Sequence, residues 1–442
     1  MAALVKTLCM IVAFGSSLAA SLVPQEDALL VPRGAVWKYL DDGSDPGSLW
    51  IEPAFADGRW RSGRAELGYG DGGESTVVDS GPVFFKNITT YFRHSFRVAE
   101  PHDLTGLRLR LLRDDGAVVY LNGVEVVRSN LLPFLTIEPD TLAFDNVTGH
   151  DEEELHSFQL PVDLLQAGEN VLAVEIHQSS PFSSDVSFDL ELVADTRAAV
   201  VRAPYLQLGT STEVTVRWRT DAPTVGRVWF GPAPDRLDAS VTEDSRATDH
   251  SVTLTGLTPG TKVHYAVAFG SQRLAGGDAE HAFVTAPPPG TPAPTRVWVL
   301  GDSGTANAEA AAVRDAYHAF TGDRHTDLWL MLGDNPYSSG TDSEYQAAVF
   351  DVYPDMLARS VLWPTLGNHD GHTADSATPS GPYYHIFTLP TAGEAGGLPS
   401  GTEAYYSFDH ANVHFVCLAS FASDPFPDGA MWRWLDSDPA AT

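Results

Sequence analysis

Between Val31 and Asp195, hydrophobic residues recur at every second position in short runs. Leu107, Leu109 and Leu111 alternate with polar neighbours, the period of a strand with one buried face. Ala117 to Leu121 and Val124 to Val126 flank Asn122-Gly123, a dipeptide suited to the left-handed positions of a tight hairpin turn. Val171 to Ile176 and Val186 to Leu192 repeat the pattern, and no amphipathic helix intervenes. The spacing predicts a β-sandwich over 31–195. Residues 200–286 predict a second all-β unit, with inward sets at Val214, Val216 and Trp218, at Val252, Leu254 and Leu257, and at Val263, Tyr265 and Val267. The prolines of 287–295 then read as a stiff linker, because each one fixes φ and removes a donor. Beyond it the grammar changes. Apolar runs at Arg296 to Leu300, Leu328 to Leu332 and Val361 to Leu366 alternate with helix-like stretches at Asn307 to Phe320 and Tyr345 to Leu357. Val313, Tyr317 and Phe320 fall on one side of the first stretch. This alternation predicts an α/β layer over 296–442, with strands buried on both faces.

The balance of 27 Lys+Arg against 58 Asp+Glu, net −31, repels phosphate backbones and anionic lipid, which argues against a nucleic-acid partner. No apolar run reaches the ~18 residues of a membrane span. Lys6, the apolar Leu8 to Phe14 and the small residues Leu18-Ala19-Ala20-Ser21 predict a signal peptide over 1–21 and a secreted or periplasmic protein. Cys9 would leave with it, so Cys417 would have no internal disulfide partner.

Three strands of the last unit end in polar motifs: Gly301-Asp302-Ser303-Gly304, Gly333-Asp334-Asn335-Pro336-Tyr337 and Gly367-Asn368-His369-Asp370. The carboxyl ends of strands in open α/β sheets are where ligands bind. Two carboxylates, a phenol, an amide oxygen and an imidazole would converge there. Carboxylates held that close repel unless a cation sits among them, and hard oxygen ligands with some nitrogen suit Fe, Mn or Zn. From Gly301 to Thr442 there are 4 Arg, no Lys and 19 Asp+Glu, so few protein cations are available to hold a phosphate.

The order of these motifs resembles the purple acid phosphatase family of the calcineurin-like metallophosphoesterase superfamily. The likeness runs from Ala203-Pro204-Tyr205-Leu206-Gln207 to Tyr405-Tyr406-Ser407-Phe408-Asp409-His410 and Val413-His414-Phe415-Val416. It implies a fibronectin type III-like β-sandwich over 200–286 followed by an α/β metallophosphoesterase domain, first part only, over 296–442. It further implies that Asp302 and Tyr337 bind Fe(III), that Asp334 bridges to a divalent metal (Fe, Zn or Mn), and that Asn368 binds the latter. His369 would orient the phosphate or protonate the leaving alkoxide. The implied reaction is hydrolysis of phosphomonoesters, an acid phosphatase activity, by a metal-bound hydroxide. Residues 31–195 resemble the galactose-binding-like jelly rolls appended to secreted bacterial enzymes. That likeness rests on Trp37-Lys38-Tyr39, Trp60, Leu67-Gly68-Tyr69-Gly70-Asp71-Gly72 and Tyr120-Leu121-Asn122-Gly123. A glycan is the partner such a domain suggests, although Trp37, Trp50 and Trp60 also suit a core.

One departure from the family stands out. Its V-x-x-H and G-H-x-H motifs, which supply three histidine ligands from the second half of the catalytic domain, are not found after His369, and His372, His385, His410 and His414 lack their context. The expectation is a fragment of a longer enzyme, with at most one weakly held metal and exposed apolar surface. A phosphodiesterase or nucleotidase of the same superfamily remains open. So does a non-catalytic glycan-binding protein with a vestigial phosphatase domain.

Overall fold

The computed structural model describes residues 27–441 apart from 422 and 425, without side chains for 439–441. The expected signal peptide and Cys9 lie outside the described residues. Among those described, no helix is long and apolar enough to cross a membrane.

Two six-stranded sheets pack face to face over 28–195. One runs in the order His156–Leu160, Gly106–Asp114, Val186–Asp195, Leu67–Tyr69, Thr76–Val77, with Ala28–Val31 also paired to Val186–Asp195. The other runs Arg61–Arg64, Val36–Leu40, Thr89–Val98, Gly168–His177, Gly116–Leu121, Val124–Ser129. The alternating leucines 107, 109 and 111 point between them and are fully buried. Phe92 and Phe188 stack across the gap at 4.3 Å, and the edge of Phe188 meets Trp37 at 4.9 Å. Trp37 and Trp50 are thus core residues, and Trp60 stacks on Trp50. Asn122 and Gly123 have φ of 51° and 86°, the left-handed pair that the hairpin requires.

The 200–284 strands divide between two further sheets. Gly226–Gly231, Ala239–Thr242, Lys262–Phe269, Gln272–Gly276 and Ala282–Val284 form one. The other is continuous with the last unit: Ala247–Leu254, Val214–Thr224, Val200–Gln207, Val361–Thr365, Leu328–Leu332, Val297–Leu300. The junction is a parallel pairing of Leu206 with Val361, and the Gln207 amide extends it by donating to the Leu362 carbonyl at 2.7 Å. One hydrophobic core joins Trp218, Tyr265 and Val267 to Trp329, Trp363 and Phe408. The proline-rich segment therefore connects units that also share a sheet and a core.

The expectation of strands covered on both faces holds for Val361–Thr365 and needs correction for Val297–Leu300 and Leu328–Leu332. Trp298 stacks on Tyr317 of the Ala308–Thr321 helix at 4.3 Å, so that face is covered. On the opposite face Val299 and Leu332 are 52% and 58% exposed. The helix turns Ala310, Tyr317 and Thr321 inward rather than Val313 and Phe320, which are exposed. Centring the buried stripe on Tyr317 leaves these two at its flank, and Arg324 lies over the Phe320 ring.

Candidate metal centre

The three polar motifs follow three adjacent parallel strands, Val297–Leu300, Leu328–Leu332 and Val361–Thr365. Their loops meet at close quarters. A Cβ on Gly367 would lie 2.1 Å from the Asp334 amide nitrogen, and one on Gly333 would lie 2.8 Å from the Gly367 Cα. Only glycine permits that approach. Asp302 and Asp334 both adopt positive φ, 54° and 49°, a conformation that aspartate tolerates better than most residues. The turn directs both carboxylates to one place.

Tyr337 Oη donates to Asp302 Oδ1 at 2.8 Å and lies 3.2 Å from Asp334 Oδ2. Three hard oxygens thus converge from two loops. The other oxygen of Asp334 accepts the His369 amide at 3.0 Å, which ties in the third loop. Desolvation, the hydrogen bond to Asp302 and the charge of Asp334 all raise the Tyr337 pKa. The phenol is therefore a proton donor here, and a cation among these oxygens would reverse that preference.

His369 sits beside this cluster, its ring 4.6 Å from Tyr337 and nearly perpendicular to it. Its Nδ1 donates to the Ser338 carbonyl at 2.6 Å, which leaves Nε2 as the free ring atom. Asn368 is placed differently. Its side chain is exposed and makes no hydrogen bond to any described residue. The donor set fits one cation at Asp302, Asp334 and Tyr337, and a second would depend on ligands beyond these.

The other histidines do not fill that gap by contact. His414 has both ring nitrogens engaged, Nδ1 with Asp409 and Nε2 with Asp438, each at 2.7 Å. His410 is buried, and desolvation lowers its pKa. The exposed His372 is the exception in position, its ring 5.3 Å from that of His369.

The sequence reading gave no role to the residues that pin these loops. Asp370 is fully buried, and its Oδ2 accepts the amides of Gly367 at 2.9 Å and Asn335 at 3.2 Å. Its Oδ1 accepts the Asn335 side chain at 3.0 Å and the Tyr345 hydroxyl. Asp370 closes the Gly367-Asn368-His369-Asp370 motif, so its position was visible, but its partners were not.

Comparison with known proteins places the neighbouring unit. Residues 201–285 match the family described as the purple acid phosphatase N-terminal domain. Purple acid phosphatase 23 of Arabidopsis thaliana is 26% identical over 286 residues, covering 53% of this chain and 60% of that protein. Purple acid phosphatase 15 of the same plant is 25% identical over 212 residues, covering 43% and 38% respectively. The chain thus spans at most 60% of the length of these two curated relatives. A solved structure of PhoD aligns over 48% of this chain and 50% of that one, with 16% identity and a TM-score of 0.36. The matched domain and the two plant relatives support the purple acid phosphatase family for this chain.

Proposed function

We propose that residues 200–442 carry metal-binding residues of a phosphatase of the purple acid phosphatase type, acting on phosphomonoesters in an exported protein. The observation that carries this reading is the meeting of Asp302, Asp334 and Tyr337 at the ends of adjacent parallel strands, beside the unit that matches the family. Asp302 and Tyr337 would hold Fe(III), Asp334 would bridge, and Asn368 would turn toward a divalent Fe, Zn or Mn. When bound, such cations neutralise phosphate oxygens and supply an activated water. The chain's own residues do the positioning. Asp370 holds the Asn335 and Gly367 backbones so that the second and third loops stay in contact. His369, anchored through Nδ1 on Ser338, keeps Nε2 available to hold a phosphate oxygen or pass a proton to the departing alkoxide. With 4 Arg against 19 acidic residues from Gly301 onward, substrate affinity rests on the cations.

The test is made in the protein as its source produces it. Asp334→Ala is expected to remove aryl phosphate hydrolysis. Tyr337→Phe is expected to remove the visible phenolate-to-Fe(III) band while leaving part of the activity. Unchanged hydrolysis in the first variant overturns the reading, and an unchanged spectrum in the second removes Tyr337 from the ligand set.

A further inference from the structure

The peptide unit that anchors His369 is held in turn by a carboxylate. The carbonyl between Ser338 and Ser339 accepts from His369 Nδ1 at 2.6 Å. The N–H of the same unit, on Ser339, donates to Glu344 Oε2 at 3.1 Å. One planar amide therefore stands between a carboxylate and an imidazole, with one polar end on each. Negative charge at the N–H end polarises the amide and makes its carbonyl oxygen a better acceptor.

Glu344 grips the rest of this loop as well. Its Oε1 accepts the Ser338 amide at 2.8 Å, and its Oε2 also accepts that of Thr341 at 2.9 Å. A helix cap explains only part of this. Thr341 and Glu344 form the reciprocal box that opens the short Asp342–Tyr345 helix, and such a box requires the Thr341 amide alone. The bonds to Ser338 and Ser339 serve something else. The amides of Thr341, Ser338 and Ser339 hold the Glu344 carboxyl below its ordinary range, so it is ionised at neutral pH.

Both sides of Glu344 are fixed. Asp342 binds Arg202 at 3.0 Å and Arg219 at 2.6 Å from the neighbouring unit, and Arg202 also donates to Gln346 at 2.9 Å. Tyr345 is fully buried and donates its hydroxyl to Asp370. The gripped loop lies directly on the backbone that carries His369. Gly340 has φ 72°, and a Cβ there would come within 2.8 Å of the Asp370 Cα and 2.9 Å of the His369 carbonyl oxygen. Thr373 fastens the loop from the other side, donating to the Gly340 carbonyl at 2.6 Å.

We propose that Glu344 is a positioning residue for His369: through the Ser338–Ser339 peptide it holds the imidazole in the form protonated on Nδ1, with Nε2 free. A carbonyl only accepts, so the nitrogen that meets it must carry the proton. Carboxylates orient imidazoles in this way by direct contact, and here one amide separates the partners. What Nε2 then does rests on the phosphatase reading; the orientation of the ring does not.

The deciding measurement is nitrogen-15 NMR of the imidazoles in the chelator-treated full chain, at a pH that keeps the rings neutral. The His369 signals are those missing from His369→Gln. The wild-type chain is expected to hold His369 as a single tautomer, protonated on Nδ1. Glu344→Gln is the informative variant, because glutamine serves a capping box as glutamate does, while the charge and one acceptor are lost. In it His369 should become a mixture of both tautomers. In the metal-loaded enzyme the same variant should lower kcat/KM for an aryl phosphate at least about tenfold. A wild-type His369 protonated on Nε2 overturns the proposal without any variant, so the test survives a Glu344→Gln chain that fails to fold. An unchanged single tautomer in Glu344→Gln overturns it too, as does undiminished turnover in the loaded variant. Hydrolysis retained in Asp334→Ala would remove the phosphatase reading alone, since the tautomer is read without turnover.

Discussion

At the scale of single residues, the candidate metal centre depends as much on a buried acceptor as on its ligands. Every group that faces the Asp370 carboxylate is a donor: two backbone amides, the Asn335 side chain and the Tyr345 hydroxyl. An amide in its place would turn an NH2 toward donors and leave some of them unpaired. Asp370→Asn should therefore destabilise the chain by about 1–3 kcal/mol, the cost of stranded buried polar groups. Denaturant unfolding checks this, and a loss below about 0.5 kcal/mol would show that the network repacks freely. The sequence displayed Asp302, Asp334, Tyr337, Asn368 and His369 as candidates because strand-end glycines announce sharp turns. It did not separate the residues that converge from the one that does not. Asn368 follows Gly367 directly, yet its side chain ends in solvent.

Among elements, the Ala430–Ala441 helix docks on the hairpin Tyr406–His410/Val413–Cys417 through an ionisable clamp. Asp438 accepts from the Leu398 amide at 2.7 Å, the Ser407 hydroxyl at 2.9 Å and His414 at 2.7 Å. Desolvation pulls the His414 pKa down, but hydrogen bonds to Asp409 and Asp438 outweigh it and the net shift is upward. A raised folded pKa means that the contribution is complete below the unfolded value of ~6.5 and is lost as pH rises through the folded one. Docking should accordingly weaken toward alkaline pH. Trp434, whose indole donates to the Leu398 carbonyl at 3.0 Å, reports it by fluorescence. The transition should disappear in His414→Gln, and its persistence there would assign it to another group. Nothing in the local sequence marks this clamp, since the three residues stand at 409, 414 and 438 and meet only through packing.

For the whole molecule, the shared sheet makes the 200–284 unit and the α/β layer mechanically one. Besides the Leu206–Val361 pairing, Tyr205 Oη donates to the Ile386 carbonyl at 2.6 Å and Tyr265 Oη to the Ala358 carbonyl at 2.9 Å. Arg202 and Arg219 both bind Asp342, at 3.0 and 2.6 Å. Limited proteolysis should cut first in the 288–292 stretch, where the connecting backbone is exposed. The fragments should nevertheless co-elute without denaturant. Their separation would mean that the joint sheet and core do not hold the two units. Asp342→Ala strands the buried Arg202 guanidinium and should cost about 1–3 kcal/mol, read as a lowered thermal transition for residues 200–442. An unchanged transition would place the coupling in the apolar core alone.

What the sequence determined by itself is what nearest neighbours encode. Alternation at 107, 109 and 111 specifies a one-faced strand, Asn122-Gly123 specifies its hairpin, and Gly-Asp after an apolar run specifies a sharp strand end. Tertiary structure alone decided which of these local pieces touch. It turned Val313 and Phe320 outward and Tyr317 inward, because the helix rotates to meet Trp298. It also ran one sheet through the proline-rich boundary and gathered carboxylates from positions 71, 152 and 185 onto one surface. The reason is physical: turn and strand preferences act over a few residues, whereas convergence of distant groups is set by how whole sheets pack and register.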